Sequence, residues 1–187
     1  MSQVTPTVEL PEVLVVQPRL FRDDRGYFLE IHHSRKLADA GLHETFVQDN
    51  ASRSVKGVLR GLHYQHPHAQ GKFVSVLYGE IYDVAVDIRL GSPTFGRWVG
   101  VTLSADAGTQ LYIPGGYAHG FAATSPEAVV LYKCTDLYDP ACEGSILWSD
   151  PALGIRWPVA DPLLAPKDAD APRLADVPPG RLPTYGG

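Results

Sequence analysis

Short runs of Val, Ile, Leu and Tyr recur along the chain between Gly and Pro punctuation, the pattern left by many short strands. Segments 13–16, 27–31, 72–78, 81–88, 98–103, 110–113 and 129–133 are the predicted strands. Over 81–88 the period is two. Tyr82, Val84, Val86 and Ile88 share one face and Asp83 and Asp87 the other, which predicts one buried and one wetter sheet face. One short helix is predicted, with Ser34 as its N-cap and an end before Gly41. No repeat of about 20 to 50 residues is visible, which sets aside a solenoid or propeller. Pro158, Pro162, Pro166, Pro172, Pro178, Pro179 and Pro183 are seven of the sixteen prolines, so segment 158–187 is expected to be irregular, wrapping the body of the protein or trailing from it. The expectation is an all-β protein with short peripheral helices, a single domain over 1–187.

At 187 residues and 44% hydrophobic, the chain can bury one substantial core. Its formal net charge of -5 gives no overall basic field for nucleic acid or an anionic membrane. An anionic small molecule would have to be met by local Arg and Lys clusters. There is no apolar run of about 18 residues and no leader-like start, so a soluble, cytoplasmic protein is expected, without nucleic-acid or membrane partners. In that setting Asn50-Ala51-Ser52 is a chance match to a glycosylation acceptor. Cys134 and Cys142 lack C-x-x-C spacing and read as two small buried side chains, not as a disulfide.

The candidate chemistry centres on Lys72. Residues two apart on a strand share a face, so Lys72 points with Val74, Val76 and Tyr78 toward what reads as interior. An ammonium there either meets an anion or loses its proton; the alternative is a lysine at the strand mouth with its head in water. His63 is a candidate base because imidazole titrates near neutrality, with an unperturbed pKa of about 6.5. The strings His66-x-His68-x3-Lys72-x6-Gly79 and Gly108-x5-Pro114-x-Gly116-x2-His119 resemble the two halves of the cupin metal-site pattern, with Lys72 where the metal-binding form has Glu and Ala123 where Asn is usual. That resemblance implies a double-stranded β-helix, the jelly-roll barrel. A divalent cation needs carboxylates or neutral imidazoles around it, and a fixed ammonium repels it. No metal or other cofactor is therefore expected, and the site should take an anion. His66 and His68 alone fall short of the three or four ligands a metal needs.

Six further strings narrow the resemblance: Asp24-Arg25-Gly26-Tyr27-Phe28, Val47-Gln48-Asp49-Asn50, Val58-Leu59-Arg60-Gly61-Leu62-His63-Tyr64-Gln65, Gly91-Ser92-Pro93-Thr94-Phe95-Gly96, Ile113-Pro114-x-Gly116-x-Ala118-His119-Gly120-Phe121 and Tyr132-Lys133-Cys134-Thr135. Together they resemble the dTDP-4-dehydrorhamnose 3,5-epimerases, metal-free cupins that are usually homodimers. The resemblance implies His63 as general base, Tyr132 as the acid on the opposite face, Asp168 as the carboxylate that orients His63, and Lys72 as stabiliser of the enolate. It also implies contacts to nucleotide or sugar by Arg25, Glu30, Gln48, Asp49, Asn50, Arg60, His119, Glu143 and Lys167, and stacking of thymine on Tyr138. The chain departs from the family at Ala165-Pro166, just before Lys167 and Asp168, where Ser is usual in place of Ala165.

The chemistry suits these groups. A hydrogen beside a ketone becomes acidic when a preorganised cation stabilises the enolate oxygen, and inversion needs a base and a separate acid on opposite faces. Each residue also has a plainer reading: packing for Tyr132, a solvated loop charge for Asp168 or Glu143, an exposed strand position for Glu30. The rival functions are an epimerase acting at C3 only or C5 only, a metal-dependent cupin enzyme using His66, His68 and His119, and a non-catalytic sugar-binding cupin.

Overall fold

The computed structural model describes residues 3–186. Its strands are β1 (Gln3–Pro6), β2 (Leu14–Gln17), β3 (Leu20–Asp23), β4 (Gly26–Leu29), β5 (Gln48–Val55), β6 (Leu59–Gln65), β7 (Lys72–Tyr78), β8 (Glu80–Asp87), β9 (Trp98–Ser104), β10 (Gln110–Ile113), β11 (Tyr117–Ala123), β12 (Glu127–Cys134) and β13 (Glu143–Ser145). Two short helices, α1 (Ser34–Asp39) and α2 (Pro166–Ala169), lie outside them. A six-stranded sheet in the order β1-β2-β10-β7-β12-β5 faces a five-stranded sheet in the order β13-β6-β11-β8-β9, while β3 and β4 form a separate hairpin. All of these pairings are antiparallel, and the result is the cupin-type jelly-roll barrel.

Three apolar layers hold it together. Val74, Val76, Leu111, Ile113 and Val130 from the larger sheet meet Ile81, Ala85, Val99, Leu103 and Phe121 from the smaller one inside the barrel. The outer face of the smaller sheet, carrying Leu62, Tyr64, Val84, Val86 and Ala118, is covered by Leu174, Val177 and Leu182. The proline-rich C-terminal segment therefore wraps the barrel, and burying these three side chains contributes about 1.5–3 kcal/mol each. On the other side, Leu37 of α1 and Leu42 cover Val16, Phe73 and Tyr112.

Three expectations need correction. The Asp83/Asp87 face of β8 is not wetter: both carboxylates are fully buried, because that face is the barrel interior and the opposite face lies under the C-terminal wrap. Each buried charge has partners. Asp87 accepts from Arg89 Nε at 2.9 Å and from the Ser92 and Thr94 hydroxyls at 2.5 and 2.6 Å, which gives the Gly91–Gly96 string a structural use. Burial alone would raise the Asp87 pKa, and these donors hold it below the ordinary carboxylate range. The helix N-cap is His33, one residue earlier than Ser34, with Nδ1 accepting from the Lys36 N–H at 3.4 Å. Tyr78 also leaves the interior row of Val74 and Val76. A register shift where β7 meets Val129 and Val130 turns it out, and it is exposed.

Candidate active site

The barrel mouth is shaped by a close approach. Gly61 of β6 and Gly120 of β11 pass so tightly that a Cβ on Gly61 would lie 2.6 Å from the Gly120 Cα, and Gly61 has φ of +119°, so only glycine fits. The β6–β11 register shifts at the same place. Beside it His63 and His119 stand directly opposite each other across the two strands. Both face a cavity of about 470 Å³ that is also lined by Arg60, Lys72, Tyr132 and Asp168.

Asp168 comes from α2, on the C-terminal wrap. A parallel bridge between Val58 and Leu163 fixes the approach of this segment to β6. Ala165 takes the N-cap position without a side-chain cap bond, and Pro166 begins the helix with its φ already set. The departure at Ala165-Pro166 thus leaves both following residues at the cavity. The buried Asp168 carboxylate lies 2.6 Å from His63 Nε2 through Oδ1, and its Oδ2 accepts from the Gly61 N–H at 3.3 Å. Burial would raise the Asp168 pKa, but the bond and charge of His63 prevail and hold it low. Nε2 is engaged, so His63 has Nδ1 left for a substrate.

Lys72 enters from the facing sheet. Burial of its ammonium pushes its pKa below the ordinary lysine value, and Cys134, Asp83 and Glu143 oppose that shift. The residue keeps partial solvent access, and it lines the cavity. Tyr132, on β12 of the same sheet, is held protonated by burial and by Cys134, against the opposing pull of Arg60 and Lys167. His63 and Tyr132 therefore stand on opposite walls of one cavity, a base candidate facing a phenol that keeps its proton.

A second lobe of about 300 Å³ shares His63, Lys72, Tyr132, Glu143 and Lys167 with the first and adds Gln48, Asn50 and Tyr138. Gln48 accepts from the Tyr138 N–H at 2.8 Å and donates to Asn50 at 3.0 Å. Glu143 accepts from Lys167 at 2.8 Å and from the Tyr138 hydroxyl at 3.3 Å. Burial works against ionisation of Glu143, and Lys167 outweighs it. Arg60 donates through Nε to Ser54 at 3.1 Å and through Nη2 to the Arg53 carbonyl at 3.3 Å. The cavity thus gathers Arg60, Lys72 and Lys167 despite the acidic chain, the local cation cluster that an anionic ligand requires.

Five of the residues singled out in the sequence lie elsewhere. Arg25 is 90% exposed and paired with Asp23 on the β3–β4 hairpin. Glu30 is paired with Lys36, and Asp49 sits on the outer face of β5 against Lys133. His66 and His68 line neither lobe, and His68 is exposed beside Asp136 at 3.7 Å. Among the described residues no three His, Cys, Asp or Glu side chains come together as a metal-binding group. Cys134 and Cys142 are free and buried. The sequence reading missed Asp83, whose carboxylate oxygens lie 3.0 and 2.9 Å from His119 Nε2. Its signal was present: an Asp in the middle of an apolar strand needs a buried partner.

The barrel and the sequence that builds it are those of cupin-type enzymes of the isomerase class. The model of the family dTDP-4-dehydrorhamnose 3,5-epimerase matches residues 7–176. The dTDP-4-dehydrorhamnose 3,5-epimerase of Shigella flexneri is 52% identical over 171 residues, 90% of this chain and 94% of that protein. A dTDP-4-dehydrorhamnose 3-epimerase of Streptomyces niveus is 42% identical over 91% of this chain and 84% of its own length. The dTDP-6-deoxy-D-glucose-3,5-epimerase of Legionella pneumophila, solved in complex with dTDP-4-keto-L-rhamnose, superposes with a TM-score of 0.96 at 49% identity, covering 100% of both chains. The chain belongs to the dTDP-4-dehydrorhamnose 3,5-epimerase family.

Proposed function

We propose that this protein converts dTDP-4-dehydro-6-deoxy-D-glucose to dTDP-4-dehydro-L-rhamnose, inverting C3 and C5 without a cofactor. The observation that carries this reading is the placement of the His63–Asp168 pair and Tyr132 on facing walls of the cavity that Lys72 enters. His63 removes a proton from a carbon next to the ketone. The electrons move to the C4 oxygen, where Lys72 meets the enolate charge in a desolvated site. Tyr132 then delivers its proton to the other face, and the inverted ketone re-forms. Asp168 stabilises the imidazolium made in the first step. Arg60, His119 and Lys167 supply donors for the diphosphate, and Gln48, Asn50, Glu143 and Tyr138 shape the lobe that takes the rest of the nucleotide sugar.

Product analysis after incubation with dTDP-4-dehydro-6-deoxy-D-glucose tests the reading. Tyr132→Phe is expected to keep exchange of substrate hydrogens with solvent while lowering the rate of inversion about 10²–10⁴-fold, since it retains the base and loses the acid. Loss of both in equal measure would put Tyr132 in a different role. The likeness to the Streptomyces niveus 3-epimerase favours one second reading, inversion at C3 alone. In that case the C5 hydrogen stays in place.

The proposed working form is a cytoplasmic homodimer, in a compartment where free thiols such as Cys134 and Cys142 persist. No helix among the described residues is long and apolar enough to cross a membrane. The β3–β4 hairpin exposes Phe21, Tyr27 and Phe28 beside Arg25, a cluster suited to burial against a second copy. Arg25 and Glu30 would then serve the other protomer's cavity, along with Asp49 at the edge of β5. Mixing inactive Arg25→Ala and His63→Gln proteins should restore activity, because each mixed dimer assembles one intact site. No recovery after subunit exchange would place Arg25 outside the partner's site.

A further inference from the structure

Strand β5 turns a continuous polar face into the barrel. Gln48, Asn50, Ser52 and Ser54 alternate with the exposed Asp49, Ala51, Arg53 and Val55. Three of the four inward side chains are satisfied by the protein. Gln48 bonds Asn50 and the Tyr138 N–H, Asn50 donates to Cys134 Sγ at 3.5 Å, and Ser54 accepts from Arg60. Ser52 is the exception: its Oγ is buried and has no hydrogen-bond partner. An unpaired buried hydroxyl is costly, and native folds keep few of them. Alanine would fill the same place without the cost, so the oxygen needs an explanation.

Its position supplies one. Ser52 lines the 470 Å³ cavity with His63, Lys72 and Tyr132. It lies opposite Val130 on β12, one step deeper than the Asn50–Tyr132 pair, so Ser52 and Tyr132 are diagonal neighbours on one face. Such neighbours are about 7–8 Å apart, close enough for both side chains to reach one bound sugar ring. The other walls nearby are apolar, from Val58, Leu59 and Phe121, or ionic. A neutral, directional hydroxyl among them suits a ring hydroxyl better than a diphosphate, for which Arg60 and Lys167 are present. The hydroxyl rides on a single rotatable bond, Cα–Cβ, whose three staggered wells point Oγ in different directions.

We propose that Ser52 is a sugar-recognition residue, hydrogen bonding a ring hydroxyl of the hexose held between His63 and Tyr132. The assignment rests on the epimerase reading. The test compares full-length wild type and Ser52→Ala with dTDP-4-dehydro-6-deoxy-D-glucose as substrate and dTDP as competitive inhibitor. Ser52→Ala should raise KM about five- to twenty-fold. Inhibition by dTDP, which lacks the sugar, should change less than about twofold, and Tm should be unchanged or higher because an unpaired buried group has been removed. An unchanged KM would mean that Oγ meets only water and would overturn the proposal. So would an equal loss of dTDP affinity, which would place the contact on the nucleotide, or a fall in Tm with KM intact, which would make the serine structural. Wild-type protein that leaves the substrate untouched would defeat the epimerase reading itself; wild type that turns over while Ser52→Ala matches it defeats only this assignment.

Discussion

Replacing His63 with glutamine is expected to lower hydrogen exchange at both substrate carbons about 10²–10⁴-fold, the range set by loss of a positioned general base. Glutamine is the informative choice. Asp168 is 2% exposed, and its carboxylate depends on the donor at His63 Nε2, 2.6 Å away. Alanine would strand a buried charge and destabilise the protein by several kcal/mol, which confounds an activity measurement. A glutamine amide reaches the position of the imidazole Nε2 and retains a donor there without a proton-accepting nitrogen. Folded protein with no exchange at either carbon therefore isolates the chemical step. Full exchange in His63→Gln would move the base elsewhere, and the cavity's other imidazole–carboxylate pair, His119 with Asp83, would be the first place to look.

Lys72→Met should produce effects of opposite sign on activity and stability. The rate is expected to fall about 10²–10³-fold, because methionine fills the same volume but offers nothing to the developing enolate oxygen. Stability should rise. Burial depresses the Lys72 pKa, so the unfolded chain binds that proton more tightly than the folded one. The protonated lysine thus costs stability at neutral pH, and the cost shrinks as pH climbs from the depressed folded value toward the unfolded value of about 10.4. Melting curves between pH 7 and 10 should show wild-type stability gaining on Lys72→Met as the pH increases. A methionine variant that melts lower than wild type at pH 7 would show that the ammonium has a stabilising partner in the folded protein.

The strands legible in the sequence were those with apolar alternation or continuous apolar runs. Segments 72–78 and 110–113 match β7 and β10 end to end, and 98–103 stops one residue short of β9. Among the strands that escaped prediction are three that help build the site. β5 reads as a polar loop because its inner face lines the cavity, β6 is interrupted by Gly61, and β11 is rich in small residues where the sheets approach closely. Asp83 reads as solvent-facing from its two-residue period, although its place in an apolar strand calls for the buried partner that His119 supplies. Motif strings, not periodicity, carried the site: His63, Lys72, Tyr132 and Asp168 are scattered over more than half of the chain, and only the barrel brings them to one cavity. Arg25 fell within those strings and Glu30 just beyond one, yet the folded chain leaves both at its surface, paired with Asp23 and Lys36.

The central claim is that this cavity removes and returns protons at two carbons beside a ketone. The most direct measurement is incubation of the wild-type protein with dTDP-4-dehydro-6-deoxy-D-glucose in deuterated water, with the label located by NMR. The account predicts deuterium at both C3 and C5 with both centres inverted. Label at C3 alone would contradict the double inversion, and no label at either carbon would contradict the mechanism.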